Sequence, residues 1–292
     1  MENRLLKYFL VAAQEKNITK AAEILHVSQP ALSKQIMQLE DELGAKLFVR
    51  GKRSLTLTEE GRFLLGRAQE IVALTEKTER DFRDGIVSYN GIIAIGMGET
   101  AASRWLGGLA VEFSKKYPDV KFDFYSATAD SVKERIEKGL LDAGLLIEPA
   151  VDLSRYDILR LPIKERWGVL VSANSPLFEK KHITRDDLKN ERIFVPFRMA
   201  NTLEETFGIS IHSPNVFGTH NLLNNVAALV NENAGVALTI GGATELYDKR
   251  MLAWKPFEPE ISLSSVLVWK KYKAASPSAT KFLEFVEHSM KL

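Results

Sequence analysis

The run from Thr19 to Gly44 reads as a short helix, a three-residue turn and a longer helix, and few folds accommodate that spacing. Before it, Leu5, Leu6, Phe9, Leu10 and Ala13 recur at helical spacing and predict a first helix of about three turns. Thr19 is placed to cap the short helix, which carries Ala22 and Leu25, and His26, Val27 and Ser28 form the turn. Ser28 is a favourable N-cap, and Pro30 falls in the first turn of the next helix, where its missing N–H is harmless. That third helix is expected over Gln29–Leu43, stopped by Gly44. Its apolar residues Leu32, Ile36, Leu39 and Leu43 make one stripe. Leu47–Val49 and Leu55–Leu57 are predicted strands of a hairpin whose tip carries Arg50, Gly51, Lys52 and Arg53. Three helices and a basic-tipped hairpin make a winged helix-turn-helix, assigned to residues 1–58.

Thr58 is expected to cap a long helix reaching about Arg83. Leu64, Ala68, Ile71, Thr75, Thr78 and Phe82 alternate spacings of four and three, a coiled-coil seam about three heptads long, widened by Leu65 and Val72. No packing partner within the chain is evident for it, so residues 59–90 are read as a dimerisation helix and hinge, with Asn90-Gly91 as a turn signal.

From Ile92 the chain alternates strand and helix. Ile92–Ile95, a helix from Thr100 to Tyr117, Val120–Tyr125, a helix from Ser131 to Lys138, and Ala143–Ile147 give a βαβαβ pattern and predict a parallel sheet with covered faces. A second set follows: Trp167–Val171, Arg192–Val195, the helix Asn221–Asn233, and Val236–Thr239. Ser265–Trp269 and a helix over Ala279–Met290 complete the pattern. The fold class is therefore α/β behind an all-α winged helix-turn-helix. The C-terminal domain is assigned to 91–292, with one lobe at about 91–162 and 268–292 and the other at about 163–267.

Composition narrows the chemistry. Hydrophobic residues make up 45%, enough for ordinary cores. No apolar run approaches the ~18 residues of a membrane span, and the spaced apolar residues of the first segment do not resemble an export signal. Cysteine is absent, which removes disulfides and thiolate metal sites and fits a reducing cytoplasm. The five histidines lack metal-ligand spacing, and no HExxH, P-loop or GxSxG occurs, so neither a metal, a cofactor nor a catalytic set is expected. The net charge of +1 is uninformative, but residues 1–57 hold nine Lys/Arg against six Asp/Glu.

On the third helix, Gln29, Pro30, Ser33 and Lys34 lie opposite the apolar stripe, at the end where recognition helices meet base edges. Gln29 suits adenine, Ser33 either partner, and Lys34 guanine or a phosphate. Arg50 joins this DNA-binding set from the hairpin, and Lys52 and Arg53 at its tip suit a narrow minor groove. Glu40, Asp41 and Glu42 at the far end are expected to repel phosphates, so the N-terminal part approaches the duplex. The partner is double-stranded DNA.

The stretch from Ala21 to Gly61 closely resembles the LysR-type transcriptional regulators. The matching pieces are Ala21-Ala22, Val27-Ser28-Gln29-Pro30-Ala31-Leu32-Ser33, Leu39-Glu40, Leu43-Gly44, Leu47-Phe48-x-Arg50 and Leu57-Thr58-x-x-Gly61. The order of parts agrees over the rest of the chain, with Tyr117-Pro118, Gly139-x-x-Asp142-Ala143-Gly144 and Gly235-Val236-Ala237 in support. The resemblance implies a C-terminal domain like a periplasmic solute-binding protein, a small-molecule effector between its lobes, a dimer through the linker helix, a tetramer of two such dimers, and RNA polymerase as a further candidate partner.

Carried onto this chain, the family's first effector turn places Glu99, Thr100 and Ser103 near the ligand, with backbone N–H groups of a helix start facing it. Thr128 follows from the second strand, Pro196, Arg198 and Met199 from the second lobe, and Gly218, Thr219 and His220 from the segment before Asn221. Glu99 departs from the small hydroxyl or apolar residue common there. It either caps its helix or selects a ligand with an amine or several hydroxyls. Arg198 either holds a carboxylate or phosphate or forms a salt bridge, and His220 is either a ligand contact or a satisfied polar group. Glu99 and Arg198 hold a zwitterion or pair with each other.

Gly96-Met97-Gly98-Glu99-Thr100-Ala101 also fits a dinucleotide fingerprint, but the pattern alone is weak. Two other readings compete: an enzyme carrying a DNA-binding module, and an architectural DNA-binding protein indifferent to ligands. Either Lys34→Ala or Arg53→Ala should lower operator affinity and reduce the slope of log K against log salt by about one. Titration of labelled operator at several salt concentrations checks this, and unchanged slopes in both would remove the assigned face.

Overall fold

A computed structural model describes residues 2–50, 55–83, 90–148, 151–199, 204, 208–271 and 276–290, in two compact units, 1–84 and 85–292. The first unit contains α1 (Asn3–Glu15), α2 (Ile18–Ile24), α3 (Gln29–Leu43), the hairpin β1 (Phe48–Arg50) and β2 (Leu55–Leu57), and α4 (Glu59–Arg83). Asn17, not Thr19, caps α2: its Oδ1 accepts the N–H groups of Thr19 and Lys20 at 2.9 and 3.1 Å. Ser28 caps α3 as expected, accepting the Ala31 N–H at 3.3 Å. Leu5, Leu6 and Phe9 of α1 pack with Leu32, Ile36 and Leu39 of α3 in one core, whereas Leu43 is 41% exposed.

α4 departs from the expected seam. Leu64, Ala68 and Val72 turn into the core of the same unit, and Lys7 of α1 pairs with Glu76 at 2.9 Å. The helix thus has a partner in its own chain along that face. Phe63, Ile71 and Leu74 stand exposed on another stripe, Phe63 at 73%. Thr75 and Thr78 donate back to the carbonyls of Ile71 and Leu74. The side chain of Phe82 lies outside the described residues.

Glu40 is a second correction. Instead of standing among the phosphate-repelling carboxylates, it is 5% exposed. Its Oε1 accepts the N–H groups of Leu47 and Phe48 at 2.8 and 3.3 Å, and Lys46 reaches its Oε2 at 2.9 Å. Burial works against its charge, but these hydrogen bonds prevail and hold the carboxyl below the usual range. It fastens the entry of the hairpin to the end of α3.

The second unit carries one nine-stranded sheet in the order β4-β3-β5-β11-β6-β9-β7-β8, with β10 also on β6. Its first strands are β3 (Gly91–Met97), β4 (Val120–Ser126), β5 (Ala143–Ile147) and the long β6 (Tyr156–Ser172). β7 (Ile193–Pro196), β8 (Val216–His220), β9 (Val236–Ile240), β10 (Leu252–Pro256) and β11 (Ser262–Lys270) follow. The helices are α5 (Ala101–Lys116), α6 (Ala129–Glu137), α7 (Asn224–Asn231) and α8 (Pro277–Ser289).

The sheet is mixed rather than parallel. β3 runs parallel to β4 and β5, and β7 to β8 and β9, as the βαβ spacing predicts. β11 is antiparallel to β5 and β6, and β6 to β9 and β10. The reason is the crossing: β6 pairs with β11 up to Arg166 opposite Ser262, then with β9 from Trp167. One strand thereby serves both sheet halves, and the switch comes near 166 and 262 rather than 162 and 268. Each half has its own core. Phe113 of α5 packs on Phe282 of α8 in the first, with ring centres 5.2 Å apart, and Val169, Val195 and Leu238 fill the second.

Glu40→Ala should destabilise the first unit by about 2–3 kcal/mol, because it leaves two buried N–H groups unpaired. Urea unfolding followed by circular dichroism measures this, and a loss under about 0.5 kcal/mol would mean water replaces the carboxylate.

Candidate functional sites

In the first unit the candidate DNA face starts at the capped end of α3. Gln29, Pro30 and Lys34 are exposed, and Lys34 has no ion-pair partner among the described residues. Ser33 is not on the open face as expected: it is 9% exposed, and its Oγ accepts from Gln29 Nε2 at 2.9 Å. The hydroxyl therefore steadies the Gln29 amide on the helix surface. Arg50 ends β1 opposite Leu55. Its side chain, and the whole of Lys52 and Arg53, lie outside the described residues.

In the second unit a cavity of about 550 Å³ lies between the two sheet halves. Glu99, Thr100, Thr128, Pro196, Arg198 and His220, all expected near an effector, line it. Ser103, Gly218 and Thr219 do not belong to the lining. Ser103 instead pins the turn, donating to the Gly98 carbonyl at 2.9 Å. Gly218 and Thr219 stay in β8, paired with Phe194 and Val195. Met199 ends the short turn Phe197–Met199, and its side chain lies outside the described residues.

The helix start expected to greet the ligand is already occupied. Thr100 Oγ1 accepts the Ser103 N–H at 3.1 Å. Glu165, on β6 and 1% exposed, accepts the Ala102 N–H at 3.1 Å and the Ser265 hydroxyl at 3.3 Å. Gly242 packs directly over the same helix end: a Cβ there would stand 1.9 Å from the Ala101 nitrogen, so only glycine allows this approach. Burial pushes the Glu165 carboxyl above its usual range, against the lowering effect of the backbone N–H bonds.

Among the described residues, two contacts join the halves across the cavity. Glu99 neither caps its own helix nor meets Arg198. Its Oε2 accepts the N–H of Leu223, the residue before α7, at 2.8 Å. Arg198 pairs with Asp130 in the first turn of α6, which Lys133 also approaches at 3.2 Å. The Arg198 hydrogen bond is the largest influence on the Asp130 carboxyl and, against burial, holds it below the usual range. His220 Nε2 donates to the Leu238 carbonyl at 3.2 Å, which leaves Nδ1 as a bare acceptor without a partner among the described residues. Burial lowers the pKa of its imidazole, so the ring is neutral.

Sequence reading missed Asp130, Glu165, Trp167 and Leu223. Glu165 left a signal. Leu161, Glu165, Trp167 and Val169 are inward positions of one alternating strand, and a carboxylate among them demands a buried partner. The Asp130–Arg198 and Glu99–Leu223 contacts left none, because each joins groups far apart in the chain.

The raised folded-state pKa of Glu165 means the native form binds its proton more tightly than the unfolded chain does. Its contribution to stability is full below the unfolded value and is lost as pH rises through the folded one. Glu165→Gln keeps an acceptor without the charge, so its melting temperature relative to the parent should rise between about pH 4 and pH 8. Glu165→Ala should cost about 2–3 kcal/mol at the acid end, and less as pH rises, because it also lacks the titrating group. Thermal melts across that range test both, and a pH-independent difference for Gln would show that the carboxyl does not titrate there.

Two family models match the chain: the bacterial regulatory helix-turn-helix protein of the lysR family over residues 3–62, and the LysR substrate binding domain over residues 88–291. The Hca operon transcriptional activator HcaR of Escherichia coli is 30% identical over 297 residues, covering 99% of this chain and 98% of that protein. The regulator BenM of Acinetobacter baylyi is 30% identical over 254 residues, covering 82% of this chain and 76% of BenM. Among solved structures, CbnR, a LysR family transcriptional regulator, matches all of both chains with TM-score 0.79 at 21% identity. CbnR complexed with its target DNA matches 99% of this chain and 100% of that one with TM-score 0.78, also at 21% identity. The chain therefore belongs to the LysR family of transcriptional regulators, DNA-binding proteins that join a helix-turn-helix to a substrate-binding domain.

Proposed function

We propose that this regulator senses a small molecule in the cavity between its sheet halves and converts occupancy into a change at its operator. The observation that carries this reading is the pair of contacts across the cavity, Glu99 to Leu223 and Arg198 to Asp130. A ligand seated among Glu99, Thr128, Pro196, Arg198 and His220 exchanges its own contacts for these and resets the angle between the halves. It shifts the balance only by its difference in affinity for the two arrangements.

At the other end, Gln29 reads a base edge from its seat on Ser33, Pro30 and Lys34 approach the duplex, and Arg50, Lys52 and Arg53 grip the flanking backbone. The functional division we adopt is 1–58 for DNA, 59–90 for the linker and 91–292 for the effector. The exposed stripe of Phe63, Ile71 and Leu74 on α4 supports a homodimer through the linker, and paired dimers extend it to a tetramer. Contact with RNA polymerase follows from regulation at a promoter. We read the cavity as a binding site rather than a catalytic one, since the relatives carry regulator names. We place the protein in the cytoplasm with its DNA. No helix among the described residues is long and apolar enough to cross a membrane.

A footprint on the DNA upstream of its own gene, repeated with pooled metabolites, is expected to show two neighbouring protected sites, one of which shifts with a metabolite. Protection on genomic fragments that no metabolite alters would favour an effector-independent architectural role.

A further inference from the structure

The cavity between the sheet halves has a charge balance of its own. Among the described residues, three carboxylates line it, Glu99, Asp130 and Glu148, against one cation, Arg198. Two of the three are neutralised, Asp130 by Arg198 and Lys133, and Glu148 by Arg160 at 3.0 Å. Glu99 is half-buried, accepts only the N–H of Leu223, and has no cationic partner among the described residues. A neutral N–H satisfies one lone pair and leaves the charge in place. In a cleft less polarisable than water, that charge opposes an entering anion and favours a cation. An anion aimed at Arg198 would also have to displace Asp130, leaving a second carboxylate with only Lys133 to balance it.

The rest of the lining sets the body of the ligand. Phe197, Leu222, Ile240 and Ala243 offer apolar walls, and the volume suits a ring-sized molecule with substituents. Two lining residues also carry polar atoms without partners among the described residues. Trp167, 6% exposed, has an unpaired donor at Nε1, and His220 has its bare acceptor at Nδ1. A polar substituent that reached either atom would supply the missing hydrogen bond, which a hydrocarbon does not.

We infer that the effector is a compact organic cation, an amine on an apolar ring-sized body, with its ammonium on Glu99; this rests on reading the cleft as the effector site. The ammonium has the remaining oxygen of the Glu99 carboxylate open to it, and as a stronger, charged donor it competes with the Leu223 N–H for the same group. That competition ties ligand charge to one of the contacts between the halves.

Isothermal titration of the full chain with phenethylamine, phenethyl alcohol and phenylacetate varies charge on a common ring. The amine is expected to bind at least about tenfold more tightly than the carboxylate, and Glu99→Gln to remove about tenfold of its affinity while changing that of the alcohol little. The amine-to-carboxylate ratio is read on the unmodified protein, so it does not depend on any variant folding. A carboxylate that binds more tightly than the amine overturns the inference, as does failure of the amine to bind at about 10 mM. Ala243→Phe fills the cavity and separates the two levels of the argument. If it abolishes binding while the carboxylate is the tighter ligand, the cleft stands and only the charge assignment falls. If the amine binds the filled variant unchanged, the cleft reading itself falls.

Discussion

The buried carboxylate of Glu165 stands where one strand passes from the first sheet half to the second, and the geometry of the cleft depends on it. On one side it takes the N–H of Ala102 at the start of α5, and on the other the hydroxyl of Ser265 on β11. A helix start has backbone donors with no partner inside the helix, and leaving them buried is costly. Supplying the acceptor from β6 ties α5 to the crossing strand. Gly242 permits the second half to close over the same helix end. Ser103 also donates to the Gly98 carbonyl, which pins the turn from Gly98 to Thr100 to the same helix end.

Side chains, rather than helix dipoles, are therefore what the cleft presents. Its two cross-cleft contacts differ in kind. Arg198 and Asp130 are both charged and partly solvated, a pair worth little by itself because water competes for both groups. Glu99 and the Leu223 N–H join a charge to a neutral donor, which leaves the charge uncompensated. The two contacts are therefore unequal: one pairs opposite charges, and the other leaves a carboxylate without a cation among the described residues.

The first unit uses the same device for a different end. Glu40 accepts two N–H groups at the hairpin entry and so fixes β1 relative to α3. Leu64, Ala68 and Val72 of α4 seal the core beneath, each large side chain worth about 1.5–3 kcal/mol of burial. α4 thus serves its own unit with one face and leaves Phe63, Ile71 and Leu74 exposed on another. A strict heptad reading merged these two faces, because Ile71 falls within the spacing of both.

Local chemistry was legible from the chain alone. The Ser28 cap, Pro30 in the first turn of α3, the Gly44 stop, the helical stripe of Leu32, Ile36 and Leu39, and the alternation of strand and helix after Ile92 are all decided by neighbours in sequence. The residues that line the cleft after β3, β4 and β7 were indicated by the family resemblance, carried onto the places where those strands stop. What only the tertiary structure decided was the partner of each charge. Glu40 reads as one of three surface acids until the hairpin folds back onto it. Glu99 and Arg198 read as a possible pair until Leu223 and Asp130 arrive from elsewhere in the chain. β6 reads as a short strand until β11 pairs with its first half and β9 with its second. Backbone periodicity repeats every few residues and is written locally. A buried charge is settled by whichever donor the fold brings within about 3 Å, and that donor carries no mark in the sequence beside it.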